Sequence, residues 1–440
     1  MANGENTSIG TLKISAFSNT VGSPLENVSV TISDSSGNLI ASGLTDNEGK
    51  LIPVILQVPS EQLSLTPPEE PPQIPESDAQ ARAELLEEEE EPVADATVTE
   101  TAESTLPFGS FNITAQSPDG ETVTVDGTQV YADITSLQNI FFPGQNNDID
   151  IPNPTIMGGF PEKIPESETK RLPFPSGTVV LPKPVVPSII IVHAGDPSDS
   201  SAPNYTVGFK DYIKNVASSE IFATWPREAL KANIIAIVSF TLNRVFTEWY
   251  RGKGYSFTVT NSTAYDQAFT YGRNIFSDVS DIVDEVFNLY ITRPNISQPI
   301  LAQYSDGIRV IRSGWLSQWG SKELADQGYS ALRILQTYYG RDIYLQEAEK
   351  VDGIPSSFPG YLDLGSSGQG VRVLQEQLNA ISNNFPLIPK LAVDGIYGPK
   401  TEEAVRIFQQ IFNLPVTGTV NFATWYRISD VYVAVRNLAE

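Results

Sequence analysis

The chain has 440 residues, a formal net charge of −25 and a pI of about 4.4, and it is too long for one compact domain. The acidic balance argues against nucleic acids and anionic membrane surfaces, since both bind basic patches. The absence of Cys excludes disulfides and thiolate metal sites, and the single His, His193, cannot build a multi-histidine zinc site. We expect no metal, no cofactor and no nucleic-acid partner.

The N-terminus, M-A-N-G-E-N-T-S-I-G, has neither the basic start nor the apolar core of a Sec signal peptide. No stretch indicates a transmembrane span, so we expect no membrane insertion. A substrate outside the cytoplasm would then be reached by lysis or by synthesis in a surrounding cell.

Polar and apolar residues alternate through the first part of the chain, as in T-L-K-I-S-A-F, V-S-V-T-I-S and F-N-I-T-A. This alternation predicts an N-terminal antiparallel β-sandwich over residues 1–150. A Pro-rich acidic stretch at about 66–105, with L-L-E-E-E-E-E-P, interrupts the pattern and predicts a disordered insert. Two separate small sheets are the alternative to one interrupted sandwich.

The rest of the chain divides at two Pro-rich breaks. Residues 151–187 include L-P-K-P-V-V-P and predict a linker. Helical periodicity between Phe209 and Tyr250, followed by strand-like and helical pieces, predicts an α+β domain over residues 188–350. Residues 360–440 predict a small all-α domain. His193 lies in S-I-I-I-V-H-A-G, a buried-strand pattern, which indicates a structural histidine.

Glu220 stands out because Phe209, Ile213, Val216 and Glu220 fall on one helical face, and the first three are apolar. A Glu in an apolar setting keeps its proton nearer neutral pH, since desolvation disfavours the carboxylate. Glycosidic cleavage needs such a proton donor. The alternative is a helix-end Glu that is solvated or paired with Lys214 or Lys231.

Three stretches of the central segment carry further motifs: F-K-D-Y-I-K-N-V-A-S-S-E-I, W-P-R-E-A-L-K-A-N and G-W-L-S-Q-W-G-S-K-E-L-A-D-Q-G-Y-S-A-L-R-I-L-Q-T-Y-Y-G. Together they resemble the SpoIID-like peptidoglycan lytic transglycosylases of endospore-forming bacteria, over roughly Ser188 to Leu345. The resemblance implies that Glu220 is catalytic. It would donate a proton to the leaving oxygen and then take one from the muramoyl C6 hydroxyl, which leaves a 1,6-anhydro end.

The same resemblance implies a set of substrate-binding residues: Lys231, Gln318, Trp319, Tyr338 and Tyr339. Aromatic side chains suit sugar rings, although helical aromatics are more often part of a core. The chain differs from the family's pattern at Val238, where the family has an Arg. The zinc site of some family members cannot exist here, because the chain has no Cys.

The C-terminal stretches L-G-S-S-G-Q-G-V-R-V-L-Q-E-Q-L and D-G-I-Y-G-P-K-T-E-E-A-V-R-I-F-Q-Q resemble the small helical peptidoglycan-binding domain. The resemblance implies a turn that would line the glycan or peptide groove, made of Asp394, Gly395, Tyr397 and Gly398.

The order of these segments resembles precursors of spore cortex-lytic enzymes. It implies synthesis in the mother cell, location in the spore cortex or coat region, and activation by a subtilisin-like germination protease. We expect cleavage between about Gly177 and Leu181, near Val179 and Val180. The alternatives are a non-enzymatic wall-binding enhancer of an amidase, or a cortex amidase or muramidase.

Overall fold

The computed structural model describes residues 7–18, 24–67, 106–142, 149–152, 183–350 (without 248, 251, 252 and 254) and 361–412. Beyond residue 412 it describes residues 414, 416–421, 424–425, 427–428 and 431–432. Nearly all of the acidic stretch at 66–105, most of the predicted linker and the predicted cleavage positions Val179 and Val180 lie outside the described residues. Within them, the chain is a multidomain α+β protein with several sheets and eight helices.

Two sheets form the N-terminal part of the protein. Sheet A contains β1 (Thr7–Ser18), β4 (Val54–Pro59) and β7 (Thr135–Phe142). Sheet B contains, in order across the sheet, β3 (Leu39–Leu44), β2 (Ser29–Asp34), β5 (Gly109–Gln116), β6 (Thr122–Val130) and β8 (Ile149–Pro152). Alternate residues of both sheets, such as Leu12 and Val30, share one buried cluster. The alternation in the sequence thus places one face of each strand in a common core.

These sheets are mixed, whereas the sequence predicted an antiparallel sandwich. β1 and β7 pair in parallel from Thr11 opposite Thr135 to Ser18 opposite Phe142, and β6 and β8 also pair in parallel. Parallel neighbours need a long connection, which the chain between them provides. Alternation determines which side chains face the core but not the direction of the neighbouring strand, and the prediction was wrong on that point.

A strand of the central segment extends sheet A. In β13 (Ile275–Phe276), Ile275 lies opposite Leu137 and Phe276 opposite Ser136 of β7. Beside this strand, Asn274 Nδ2 donates to the carbonyl of Gln129 at 2.9 Å. The N-terminal part and the central segment therefore share backbone pairing as well as side-chain contacts.

Helices dominate the central segment, which follows one short helix of the N-terminal part, α1 (Gln62–Leu65). They are α2 (Phe209–Glu220), α3 (Arg227–Phe246), α4 (Ser277–Val286), α5 (Gln318–Asp326) and α6 (Ala331–Tyr339). α3 packs against the other four and is the central helix of the segment. By length and apolar composition α3 could cross a membrane, but 94% of its most apolar window is buried inside the protein, as in a core helix.

Short strands surround these helices. They are β9 (Val185–Val186), β10 (Ile189–His193), β11 (Asn204–Gly208), β12 (Val259–Thr260), β14 (Leu289–Thr292), β15 (Tyr304–Ser305), β16 (Leu316–Ser317), β17 (Tyr344–Glu347) and β18 (Glu349–Lys350). β10 lies between β11 and β12, and the others form the pairs β14–β17, β15–β16 and β9–β18. His193 is buried in β10, where its ring stacks on Phe257 at 4.5 Å and its Nδ1 lies 2.8 Å from Asn204 Oδ1.

The C-terminal part has its own core. Its helices are α7 (Gln369–Ile381) and α8 (Pro399–Ile411), and Pro399 suits the first turn of α8 because that position needs no N–H donor. Leu374 and Phe408 from these helices pack with Trp425 in a cluster that contains only residues of the C-terminal part.

Candidate active site

Glu220 is the last residue of α2, since Ile221 already has an extended backbone (φ −133°, ψ 149°). It continues the buried face of Phe209, Ile213 and Val216, and only 2% of it is exposed. The carboxyl group therefore lies in the interior, and the alternative of a solvated helix-end Glu does not describe it.

The two lysines near Glu220 in sequence form ion pairs with α4. Lys214 Nζ lies 2.9 Å from Asp284 Oδ2, and Lys231 Nζ bonds to Glu285. The hydrogen bond from Lys231 is the main reason why the pKa of Glu285 is lowered. The structure thus places Lys231, a predicted substrate-binding residue, in a surface ion pair.

A loop that comes later in the sequence packs against the buried face of α2. The backbone N–H of Ala268 donates to Glu220 Oε1 at 2.7 Å. One turn earlier on the helix, Asn215 Oδ1 accepts from the N–H of Thr270 at 3.1 Å, and its Nδ2 donates to the carbonyl of Thr270 at 2.7 Å. These bonds hold the loop and the carboxyl in one arrangement.

Two tyrosines lie beside the carboxyl. Burial raises the pKa of Tyr304 and of Tyr212 well above the usual range, and the charge of Glu220 raises both further. Both phenols therefore keep their protons. Gln267 joins the pair, because Tyr212 Oη donates to its Oε1 and its Nε2 donates to Tyr304 Oη, both at 3.0 Å.

Opposing effects act on the protonation of Glu220. Burial disfavours the charged carboxylate, whereas the hydrogen bond from the backbone N–H of Ala268 stabilises it. A carboxyl held between such effects can serve as an acid and, once it has lost its proton, as a base.

Most of the aromatic residues that were predicted to bind substrate lie in the interior of the protein. Trp319 is 4% exposed and lies 4.9 Å from the ring of Trp225. Tyr339 is also buried, and its hydroxyl donates to the carbonyl of Gln303 at 2.8 Å. Tyr338 is half-buried, and Gln318 is buried at the start of α5. These placements match a packing role for Trp319 and Tyr339, and Tyr338 is the more accessible of the three aromatics.

The N-terminal part contacts the residues that directly follow Glu220. Trp225 Nε1 donates to the carbonyl of Ser64 at 3.0 Å, and Ser64 Oγ lies 2.7 Å from Thr224 Oγ1. The ring of Tyr131 packs edge-on against Phe222 at 6.2 Å. Residues 222–225, between α2 and α3, are thus covered by α1 and by the end of β6.

Hydrogen bonds within the C-terminal part hold the predicted groove turn in place. Asp394 Oδ1 accepts from the N–H of Ile396 at 2.9 Å and from Gln375 Nε2 at 2.8 Å. Tyr397 is 1% exposed, and its hydroxyl donates to the carbonyl of Gly418 at 2.7 Å. Gly395 has a φ of +75°, the left-handed region that favours glycine.

The turn continues at Gly398, which precedes α8 as its N-cap residue. Tyr397 is therefore a core residue, while Asp394 and Ile396 are the exposed members of the turn. Ile396 was missed by the sequence reasoning, although its position between Gly395 and Tyr397 places it on the outer side.

The sequence reasoning also missed Gln267, Ala268 and Tyr304. They come from a loop and a two-residue strand, where no hydrophobic period marks a functional position. Nothing in their local pattern signals contact with Glu220. Among the described residues, no three His, Cys, Asp or Glu side chains group closely enough to hold a metal ion.

Two family models match parts of the chain. Residues 201–286, which include Glu220 and Lys231, match the family described as "Stage II sporulation protein" (SpoIID). Residues 367–428 match the family described as "Putative peptidoglycan binding domain". A solved structure, the N-terminal domain of SleB, is 30% identical and covers 16% of this chain and 92% of that chain, with a TM-score of 0.15. No curated protein matches the chain.

These matches define the class of protein. It is a sporulation-related protein of the cell wall or cortex, with a SpoIID segment in its centre and a peptidoglycan-binding domain near its C-terminus. Peptidoglycan is accordingly a partner, and the SpoIID segment is associated with cell-wall lytic activity.

Proposed function

We propose that the protein is the precursor of a peptidoglycan lytic transglycosylase that degrades spore cortex during germination. It would cleave the bond between N-acetylmuramic acid and N-acetylglucosamine and leave 1,6-anhydro-muramoyl ends. The observation that carries the proposal is the setting of Glu220: its carboxyl is buried within the SpoIID match and accepts a hydrogen bond from the backbone N–H of Ala268.

One carboxyl is enough for this reaction. Protonated Glu220 gives its proton to the glycosidic oxygen as the bond to the anomeric carbon breaks. The carboxylate then takes the proton of the muramoyl C6 hydroxyl as that oxygen bonds to the anomeric carbon. Glu220 ends in its starting state, and no water is consumed. The backbone N–H of Ala268 stabilises the carboxylate between the two steps.

The peptidoglycan-binding domain supports a tethering role for the C-terminal part. Binding to the insoluble polymer raises the local concentration of the active site near its bonds without touching the chemistry. Of the predicted substrate-binding residues, Tyr338 is accessible in this structure, and Lys231 and Gln318 would need to rearrange to reach a glycan.

We further propose that the N-terminal part is a prosequence. The order of segments resembles the precursor of the spore cortex-lytic enzyme SleC, and α1 and Tyr131 cover Phe222, Thr224 and Trp225, directly after Glu220. A subtilisin-like germination protease would cut between about Gly177 and Leu181, near Val179 and Val180. The protein would be made in the mother cell and act in the cortex.

The activation step is tested with the full-length chain and germinant-activated spore extract. Sequencing of the new N-terminus should identify the cut, and cortex digestion should rise after it. Full-length protein that digests cortex as fast as the processed form would overturn the prosequence proposal.

A second candidate is a non-enzymatic wall-binding enhancer of an amidase. The burial of Glu220 and its bond to Ala268 favour it, because a carboxyl that fastens a loop has a structural use without any catalysis. In this case the peptidoglycan-binding domain would account for most of the function.

A digest of purified cortex, with products identified by mass, separates these functions. Anhydro-muramoyl ends support the lytic transglycosylase, and intact glycan strands after processing support the enhancer. Reducing muramic ends indicate a muramidase, and free stem peptides indicate an amidase.

A further inference from the structure

The loop that donates a hydrogen bond to Glu220 is held by the side chain of Gln267. This side chain is fully buried, and its amide joins three elements, α2, α3 and β15. Its Oε1 accepts from Tyr212 Oη at 3.0 Å and from Thr241 Oγ1 at 2.9 Å. Its Nε2 donates to Tyr304 Oη at 3.0 Å.

The orientation of this amide is fixed by its surroundings. Nε2 of Gln267 also donates to the carbonyl of Ile237, at 3.3 Å. A carbonyl can only accept, so a reversed amide would bring two oxygens together with no donor between them. In a buried place such an unmade bond is costly. Gln267 therefore has one arrangement in which its donors and acceptors are all used.

Two further contacts hold the loop on either side of Ala268. Before it, Asp266 Oδ1 accepts from Arg244 Nε at 2.8 Å, and both side chains are buried. After it, the N–H and the carbonyl of Thr270 both bond to the side chain of Asn215. These contacts fix the ends of the loop, and the residue directly before Ala268 fixes its middle.

We propose that Gln267 is a positioning residue for Glu220. The N–H of Ala268 belongs to the planar peptide that joins Gln267 to Ala268, so the held side chain of Gln267 limits the rotation of that plane. The N–H is thereby directed at Glu220 Oε1, to which it donates at 2.7 Å. A hydrogen bond to a charged acceptor is stronger than one to a neutral acceptor, so this bond contributes more once Glu220 has given up its proton. The inference rests on the proposed glycan cleavage and deepens it.

The activity test substitutes Gln267→Met, which keeps the length of the side chain and removes its hydrogen bonds. Gln409→Met is the matched control, because Gln409 is also fully buried and its amide bonds to the N–H of Gly418 and the carbonyl of Thr419, both at 2.9 Å. In processed protein, Gln267→Met should lower kcat on short soluble glycans by about tenfold to a hundredfold, the range for a bond to a charged group. KM should stay within about twofold, and Gln409→Met should match the wild type. Unchanged kcat, or a rise in KM alone, would overturn the proposal.

A milder variant decides the matter if Gln267→Met does not fold. Thr241→Val keeps the shape of the side chain and removes the hydroxyl that lies 2.9 Å from Gln267 Oε1. Its control is Thr247→Val, since Thr241 and Thr247 each donate to the carbonyl four residues earlier, at 2.9 and 2.7 Å. kcat should fall by about twofold to tenfold in Thr241→Val, the range for one neutral hydrogen bond, and stay unchanged in Thr247→Val. Equal rates in the two variants would contradict the role of Gln267.

The amide of Ala268 gives a readout that needs no activity. In full-length protein labelled with [¹⁵N]alanine, its signal is the one lost in Ala268→Gly. The chemical shift should change with pH as Glu220 ionises, and that change should be absent in Glu220→Gln. It should be largely lost in Gln267→Met and retained in Gln409→Met.

The titratable groups that face the loop include one carboxyl, one ion pair and three tyrosines: Glu220, Asp266 with Arg244, and Tyr212, Tyr250 and Tyr304. Burial raises the pKa of all three tyrosines well above the usual range, so they keep their protons. The ion pair remains in Glu220→Gln, so only the part of the change that this variant removes belongs to Glu220.

That part decides the role of Gln267 apart from any catalysis. If a folded Gln267→Met variant keeps it at its wild-type size, Gln267 does not direct the Ala268 N–H and the proposal is wrong. If processed wild-type protein leaves glycan strands intact, the proposed function fails, while the amide measurement still shows whether Gln267 acts on Glu220.

Discussion

Glu220 in the central segment and Asp394 in the C-terminal part both accept a hydrogen bond from a backbone N–H, but in contrasting surroundings. Glu220 accepts from Ala268, 48 residues along the chain, whereas Asp394 accepts from Ile396, two residues along. Glu220 is 2% exposed, and Asp394 lies at the surface. The same bond therefore closes a local turn in one region and joins distant elements of the interior in the other.

The surroundings give the two groups different chemistry. The N–H of Ile396 and the amide of Gln375 hold the pKa of Asp394 below its ordinary value, so it is ionised at neutral pH and has no proton to give. Around Glu220, burial disfavours the carboxylate and so opposes the stabilising effect of the Ala268 N–H. Of the two, only Glu220 is suited to general acid catalysis.

The largest effect should come from Glu220→Gln, which keeps the size of the side chain but cannot donate a proton. Glycan cleavage by the processed protein should fall by on the order of 10²–10⁴, while the thermal midpoint and binding to sacculi are retained. Glu376→Gln makes the same chemical change at an exposed position of α7 and should leave the rate unchanged. Wild-type turnover in Glu220→Gln would remove Glu220 from the mechanism.

Deletion of Leu364 to Glu440 should separate the functions of the two regions. Binding to insoluble sacculi should drop more than tenfold, whereas cleavage of short soluble glycans should change by less than about threefold, because tethering acts only on the polymer. Co-sedimentation measures the first and product mass analysis the second. Equal losses on both substrates would mean that the C-terminal part helps to build the active site.

Tyr397→Phe should destabilise the C-terminal part alone. Loss of the hydroxyl leaves the carbonyl of Gly418 buried without this donor, at a cost of about 1–3 kcal/mol in the free energy of unfolding. Denaturant unfolding measures it, with Tyr361→Phe at an exposed position as control. A lower rate of cleavage of short soluble glycans by this variant would show that the C-terminal part and the central segment are coupled.

The smallest effect should be the pH dependence contributed by Asp394. Its pKa is lowered from 3.8 in the folded protein, so its stabilising contribution is present above 3.8 and is lost as the pH falls through the lower folded value. The difference in melting temperature between wild type and Asp394→Asn should therefore vanish in strong acid. A difference that persists below that window would assign the effect to something other than the charge.

Much of the fold around Glu220 could be predicted from the sequence, and some of it could not. Helical spacing between Phe209 and Tyr250 predicted helices where the structure has Phe209–Glu220 and Arg227–Phe246, and the apolar face predicted an interior position for Glu220. Its hydrogen-bond donor Ala268 could not be predicted, because it meets α2 only when a distant loop folds onto that helix. The parallel direction of β7 beside β1 could not be predicted either, because these strands also meet only when distant parts of the chain fold together. The roles of Glu220, Lys231 and the aromatic residues stay predictions.

The pairing of β13 with β7 has a consequence for the proposed cleavage of the chain. A cut between about Gly177 and Leu181 would leave these strands on two separate polypeptides, still joined by backbone bonds and by the contact of Asn274 with Gln129. Separation would then follow mass action and depend on dilution, as for any two-chain complex. Arg273 in this junction is 4% exposed, and burial lowers its pKa to about 10, so solvation of its charge favours the separated state.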